Sequence, residues 1–355
     1  MAVDYKKELQ LLFDILLEEK ASDIHFSVGS HPLIRVSGTL IPLVKKPILT
    51  NTDVDHFAQI LMRPDQYDRL TRREEVDFSY ETAQSVRFRG NAFFQRGKKA
   101  MALRSIPNVI RSFEELNLPP ILESFTQRTQ GFFLCVGPVG QGKSTTLAAM
   151  IDRINKTRAE HIVTIEDPIE YVYEDDKSLI DQREVGIDTG TFESALNSAF
   201  RQDVDVILVG EMRNPETIST AVTAAETGHL VYSTLHTNTA AQTINRIIDS
   251  FPGDQQDQIR IQLSSSLIAI FSQRLIPHVM GGLVPAYELL INNTAVANLI
   301  RENRIHEIPS VIETGLEQGM IDMNRSLVKL VQNGDITVEN AFAYSSNPKG
   351  LERLI

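Results

Sequence analysis

The stretch Gly137-Pro138-Val139-Gly140-Gln141-Gly142-Lys143-Ser144 constrains this chain more than any other. It spells G-x-x-x-x-G-K-S, the spacing of a loop that wraps a nucleotide phosphate. The run before it, Gly131-Phe132-Phe133-Leu134-Cys135-Val136, is almost continuously apolar. Such a run suits a strand buried on both faces of a parallel sheet. After it, Thr145-Thr146-Leu147-Ala148-Ala149-Met150-Ile151 has the composition of a buried helix. A chance glycine-rich turn has no reason to carry both flanks. Between strand and helix, the loop's N–H groups and the helix N-terminus face an anion. Gly137, Pro138, Gly140, Gln141 and Gly142 are the expected cradle, with Thr145 beyond it. Lys143 is expected on the β- and γ-phosphates and the Ser144 hydroxyl on Mg²⁺. The fold class that follows is α/β.

The chain has 355 residues, enough for two domains. Apolar residues make up 42% and charged residues 23%, the balance of an ordinary globular protein. The single cysteine, Cys135, excludes a disulfide framework or a cysteine zinc site within one chain. The N-terminus lacks a secretory pattern, and no apolar run reaches the length of a membrane span. The formal net charge of −11 is a poor electrostatic match for nucleic acid, so no nucleic-acid partner is expected. A cytoplasmic location is the corresponding expectation.

The N-terminal third changes period repeatedly. Leu9, Leu12, Phe13 and Leu16 form a helical stripe, widened by further Leu and Ile residues into a helix packed on two sides. Ile24, Phe26 and Val28 alternate as on a half-buried strand, with His25 facing solvent or a local partner. Residues 33–41 suggest a hairpin, and 50–70 a helix interrupted at Pro64. Strands are expected at 77–80, 85–89, 91–95 and 100–106. Alternation puts Arg87 and Arg89 on one face, with Arg104 on a later strand. These arginines are either a solvated basic face or a set that reaches phosphate. The prolines at 119 and 120 punctuate the boundary to the next domain.

Three further strands end in chemistry. His161-Ile162-Val163-Thr164-Ile165-Glu166-Asp167-Pro168 ends in two carboxylates. Ligands of open α/β sheets gather at such strand ends, where Glu166 could orient the attacking water. Its bland alternatives are strand capping or a structural ion pair. Val206-Ile207-Leu208-Val209-Gly210-Glu211 resembles a Walker B strand in which Gly210 replaces the usual Asp, leaving Glu211 near Mg²⁺. Val231–Leu235 is flanked by His229 and His236, two candidates for sensing a γ-phosphate.

These boxes, in this order, resemble the secretion ATPases of type II and type IV pilus systems, and among them the retraction branch. The resemblance runs through Ala21-Ser22-Asp23-Ile24-His25, Arg87-Phe88-Arg89, the phosphate loop, residues 164–170, Val209-Gly210-Glu211-Met212-Arg213 and residues 227–238, on to 323–336. It implies an N-terminal PAS-like domain over 1–106, a connector or hinge over 107–120, and a RecA-like ATPase domain over 121–355 with a helical C-terminal region from about 285. It implies a homohexamer that uses ATP and Mg²⁺ to power pilus retraction and twitching motility. The motor would be held at the inner-membrane base of the pilus machine by a platform protein, peripheral to the membrane through its partners. Glu166 would be the catalytic base, Glu211 would hold Mg²⁺ partly through water, and His229 would read the γ-phosphate. Arg87, Arg89 and Arg104 would close over the nucleotide.

There are two departures from the family pattern. The segment Ala295-Val296-Ala297-Asn298-Leu299-Ile300-Arg301-Glu302 lacks the first Arg of the retraction motif, and Asn214 stands where Asp is usual. The single Cys excludes the four-cysteine zinc module common in assembly and secretion ATPases. The competing readings are an assembly or type II secretion ATPase and, from another class, a RecA-like nucleic-acid translocase.

Overall fold

The computed structural model of the chain describes residues 4–36, 38–84, 86–106 and 109–355. The chain divides into two compact units, Met1–Val109 and Ile110–Ile355.

In the first unit, Asp4 caps helix α1 (Tyr5–Glu18) by accepting from the Lys7 N–H. The expected stripe of Leu9, Leu12, Phe13 and Leu16 is buried, but Leu11 and Leu17 are exposed, so the helix packs on one side rather than two. Strands β1 (Asp23–Ser27), β2 (Leu33–Val36) and β3 (Thr39–Pro42) follow. A Thr50–Asp53 capping box starts α2 (Asn51–Leu61), and Pro64 opens a separate α3 (Pro64–Thr71). Strands β4 (Val76–Glu81), β5 (Arg87–Gln95) and β6 (Lys98–Ile106) complete an antiparallel sheet of order β3-β2-β1-β6-β5-β4. The sequence suggested a break between 89 and 91, yet β5 runs through Gly90. Gly90 pairs with Phe78, whose ring occupies the space a side chain would need: a Cβ there would lie 2.2 Å from Phe78 Cζ.

The second unit begins with the segment expected to be a free connector. Residues 107 and 108 lie outside the described residues. From Ile110 onward the segment packs into the second unit, because Phe113 and Leu118 bury their side chains in its core. Helix α4 (Leu122–Thr126) leads to β7 (Gly131–Val136), α5 (Lys143–Thr157), β8 (His161–Glu166), β9 (Leu179–Glu184), α6 (Phe192–Ala199) and β10 (Val206–Val209). Next come α7 (Pro215–Glu226), β11 (Leu230–Leu235), α8 (Ala240–Asp249), α9 (Gln256–Ser266), β12 (Leu267–Pro277) and β13 (Leu283–Ile291). The sheet order is β13-β12-β7-β11-β10-β8-β9, parallel except for the edge strand β13.

Every residue of β7, β10 and β11 is buried, as strands covered by helices on both faces require. Burial pushes the Cys135 thiol in β7 up to about 12, which leaves it unreactive. The helical C-terminal region begins at α10 (Thr294–Arg301) rather than near residue 285, because residues 283–291 pair with β12 as β13. Among the described residues, no helix is long and apolar enough to cross a membrane.

Candidate active site

The register of the parallel strands gathers the site. Val136 of β7 pairs with Leu235 of β11, Ser233 of β11 with Val209 of β10, and Val209 with Ile165 of β8. The phosphate loop, His236, Glu211 and Glu166 therefore leave the same edge of one sheet, where open α/β folds bind ligands.

The loop takes its shape from its glycines and from a brace beneath it. Gly137, Gly140 and Gly142 all have positive φ. At Gly137 a Cβ would also lie 2.4 Å from the Gln273 carbonyl oxygen, so only glycine fits there. Gly142 caps α5 in the left-handed conformation, and the helix N-terminus opens onto the loop. Gln273 of β12 accepts from the Thr146 hydroxyl at 2.7 Å and donates to the Gln141 carbonyl at 2.8 Å. Gln141 Oε1 in turn accepts from the Leu275 N–H at 2.8 Å. Gln273 was not singled out from sequence. Its signal was a polar triplet, Ser272-Gln273-Arg274, inside an apolar run.

Lys143 is buried, and its Nζ donates to the carbonyls of Gly137 and Pro138, each at 2.8 Å. Burial lowers its pKa from the ordinary lysine value. Nζ also meets His236 Nδ1 at 3.2 Å, and His236 Nε2 faces Glu211 Oε2 at 3.6 Å. Accepting from an ammonium at Nδ1 puts the imidazole proton on Nε2, toward the carboxylate. Arg213 pairs with the other oxygen of Glu211 and lies 3.7 Å from Asp167 Oδ2. Ser144 is half-buried at the start of α5, and the Thr145 hydroxyl meets Tyr171 Oη at 2.8 Å.

Glu166 ends β8 as a buried carboxyl. Its Oε1 accepts from the Thr164 hydroxyl at 2.8 Å and its Oε2 from the Glu170 N–H at 3.3 Å. Burial pushes its pKa up to about 7, helped by the Glu170 charge and opposed by those two hydrogen bonds. Gly210, which stands where Walker B strands usually carry Asp, packs on it: a Cβ there would meet Glu166 Cα and Cγ at 3.4 and 3.5 Å. These are ordinary van der Waals distances, so a Cβ at this position would pack against Glu166 without displacing it.

His229 is elsewhere. It precedes β11, whose six residues separate it from the phosphate edge by about 20 Å at ~3.3 Å per residue. Its Nδ1 is 3.0 Å from the Ala224 carbonyl and its ring lies edge-on to Phe200. The expectation that His229 reads the γ-phosphate is corrected for this chain's own loop: β11 points His236, not His229, at it.

Arg89 and Arg104 are direct cross-strand partners on β5 and β6, both exposed, and Arg87 lies two residues along β5, half-buried. His25 is half-buried, and its Nε2 has no hydrogen-bond partner among the described residues. Asn214 caps α7 by accepting from the Thr217 N–H at 2.9 Å, a role Asn and Asp fill equally well. In α10, Val296, Leu299 and Ile300 are buried while Asn298 and Arg301 face out.

Comparison with known proteins identifies the family of the chain. The family model described as "Type II/IV secretion system protein" matches residues 5–319. A twitching motility protein of Neisseria gonorrhoeae is 47% identical over 321 residues, covering 90% of this chain and 86% of that protein. The type IV pilus retraction ATPase PilT of Pseudomonas aeruginosa is 45% identical over 324 residues, covering 91% of this chain and 94% of its own length. The crystal structure of the pilus retraction motor PilT with bound ADP superimposes with a TM-score of 0.90 at 49% identity, covering 96% of this chain and 98% of that one. The chain belongs to the Type II/IV secretion system protein family.

Proposed function

We propose that this chain is an ATP-hydrolysing motor that powers retraction of type IV pili, and with it twitching motility. The observation that carries the chemistry is a buried carboxyl, pushed up to about 7, at the strand edge that also carries the phosphate loop. The direction of action rests on the relatives named for retraction and twitching.

Gly137, Pro138, Gly140, Gln141 and Gly142 wrap the phosphates with backbone N–H groups, Pro138 excepted, while Thr145 lies on the first turn of α5. Lys143 exchanges its carbonyl partners for the β- and γ-phosphates. The Ser144 hydroxyl and the Glu211 carboxylate suit Mg²⁺, which takes one or two protein oxygens and completes its shell with phosphate and water. When bound, the ion neutralises phosphate charge. Glu166 takes a proton from the attacking water, whose oxygen bonds to the γ-phosphorus as the bridge to ADP breaks. A carboxyl that titrates near neutrality is well matched to that task. His236 hydrogen-bonds the γ-phosphate and relays its presence to Glu211. Arg87, Arg89 and Arg104 of the first unit supply the positive charge that stabilises the transition state. The chain acts as a homohexamer in the cytoplasm, docked through a platform protein at the inner-membrane base of the pilus.

Deleting the gene tests the direction. Cells that accumulate surface pili and stop twitching support retraction. Cells with too few pili indicate an assembly motor instead.

A further inference from the structure

Ser22 and Asp23 open the stretch Ala21-Ser22-Asp23-Ile24-His25, which the chemistry above does not use. Asp23 stands in a cross-strand row of guanidinium groups. It is opposite Arg35 on β2 and opposite Arg104 on β6, and Arg104 is opposite Arg89 on β5. The row carries three arginines and one carboxylate. The Asp23 side chain is only 11% exposed, whereas that of Arg104 is 69% exposed.

The contact between them is specific. Asp23 Oδ1 accepts from Arg104 Nε at 2.9 Å, and Oδ2 accepts from the Ser22 hydroxyl at 2.7 Å and lies 3.9 Å from Arg35 Nε. Ser22 is itself fixed by backbone hydrogen bonds to both neighbouring strands: its N–H donates to Arg35, and its carbonyl accepts from Ser105. Burial works to raise the Asp23 carboxyl, but the Ser22 hydroxyl and the Arg104 guanidinium outweigh it and hold it below the usual range. The acceptor is thus charged and anchored to backbone.

A guanidinium has five N–H donors in a rigid plane. Gripping the one at Nε, the root of the plane, fixes where the Nη fork at the tip points. Repulsion from Arg89 and Arg35 would otherwise swing a long exposed side chain away. We propose that Asp23 is a positioning residue that aims the Arg104 guanidinium at the nucleotide phosphate. This rests on the reading of Arg104 as an arginine that acts on the γ-phosphate.

The test is steady-state ATP hydrolysis by the full-length assembled protein as wild type, Asp23→Ala, Asp23→Asn, Arg104→Ala and the Asp23→Ala/Arg104→Ala double variant. Asp23→Ala is expected to lower kcat by about ten- to a hundredfold, the scale of misplacing a reacting group, with KM for ATP nearly unchanged. Asp23→Asn, whose amide oxygen can still accept from Nε, should retain an intermediate rate. The double variant should be no slower than Arg104→Ala alone, because a positioning residue has nothing left to position. Multiplicative losses in the double variant, or wild-type kcat in Asp23→Ala beside a slow Arg104→Ala, would overturn the proposal and leave the arginine reading standing. Wild-type kcat in Arg104→Ala would overturn both. If Asp23→Ala does not fold, Asp23→Asn alone and combined with Arg104→Ala decides by the same comparison: wild-type kcat in Asp23→Asn, beside a slow Arg104→Ala, overturns the proposal.

Discussion

At the scale of single residues, Glu166 ties function to stability. Its folded pKa of about 7 lies above the ordinary 4.5. Between those values the folded chain binds more protons than the unfolded one, so this group's contribution to stability falls as pH rises through that window. The total is about 3 kcal/mol. The same carboxyl must be ionised to act as a base. kcat/KM is therefore expected to rise with pH along an acid limb centred near 7, and Glu166→Gln should lose that limb with a rate drop of about 10²–10⁴-fold. Thermal unfolding gives an independent check. Glu166→Gln should melt above wild type at pH 8 and close to it at pH 5; a difference that does not grow with pH would mean the carboxyl is not charged at a cost. Lys143→Ala removes the cation meant for the phosphates, so titration with a fluorescent ATP analogue should show severely weakened binding, and turnover should be abolished.

At the scale of elements, the strands of the first unit were legible from their alternation, and those of the second unit where apolar runs end in chemistry: β7, β8, β10 and β11. Strand β9 was not, because Leu179–Glu184 is a mostly polar edge strand. β12 and β13 follow a helix with apolar runs that short-range periodicity cannot tell from more helix. That ambiguity also hid the brace under the loop. The two histidines flanking β11 look alike in sequence, and only strand direction separates the one facing the phosphate edge from the one bound to its own helix. Gln273→Ala leaves the Thr146 hydroxyl and the Gln141 carbonyl unpaired. It should cost about 1–3 kcal/mol in urea unfolding and weaken ATP binding, whereas unchanged stability would show that the loop holds its shape without β12.

At the scale of the whole molecule, the family and the α/β class were legible because four boxes in fixed order are hard to assemble by chance. The extent of the connector was not: Phe113 and Leu118 look like ordinary linker residues until they are seen buried in the second unit. The proposed hexamer predicts a mass six times that of the chain by light scattering with ATP and Mg²⁺. In mixed assemblies of Arg104→Ala and Lys143→Ala chains, recovered hydrolysis would place the arginine across a subunit interface. The central claim is that turnover at Glu166 drives retraction, and fluorescently labelled pili on living cells test it most directly. With Glu166→Gln as the sole copy, pili should extend normally and fail to retract; retraction at the wild-type rate would contradict it.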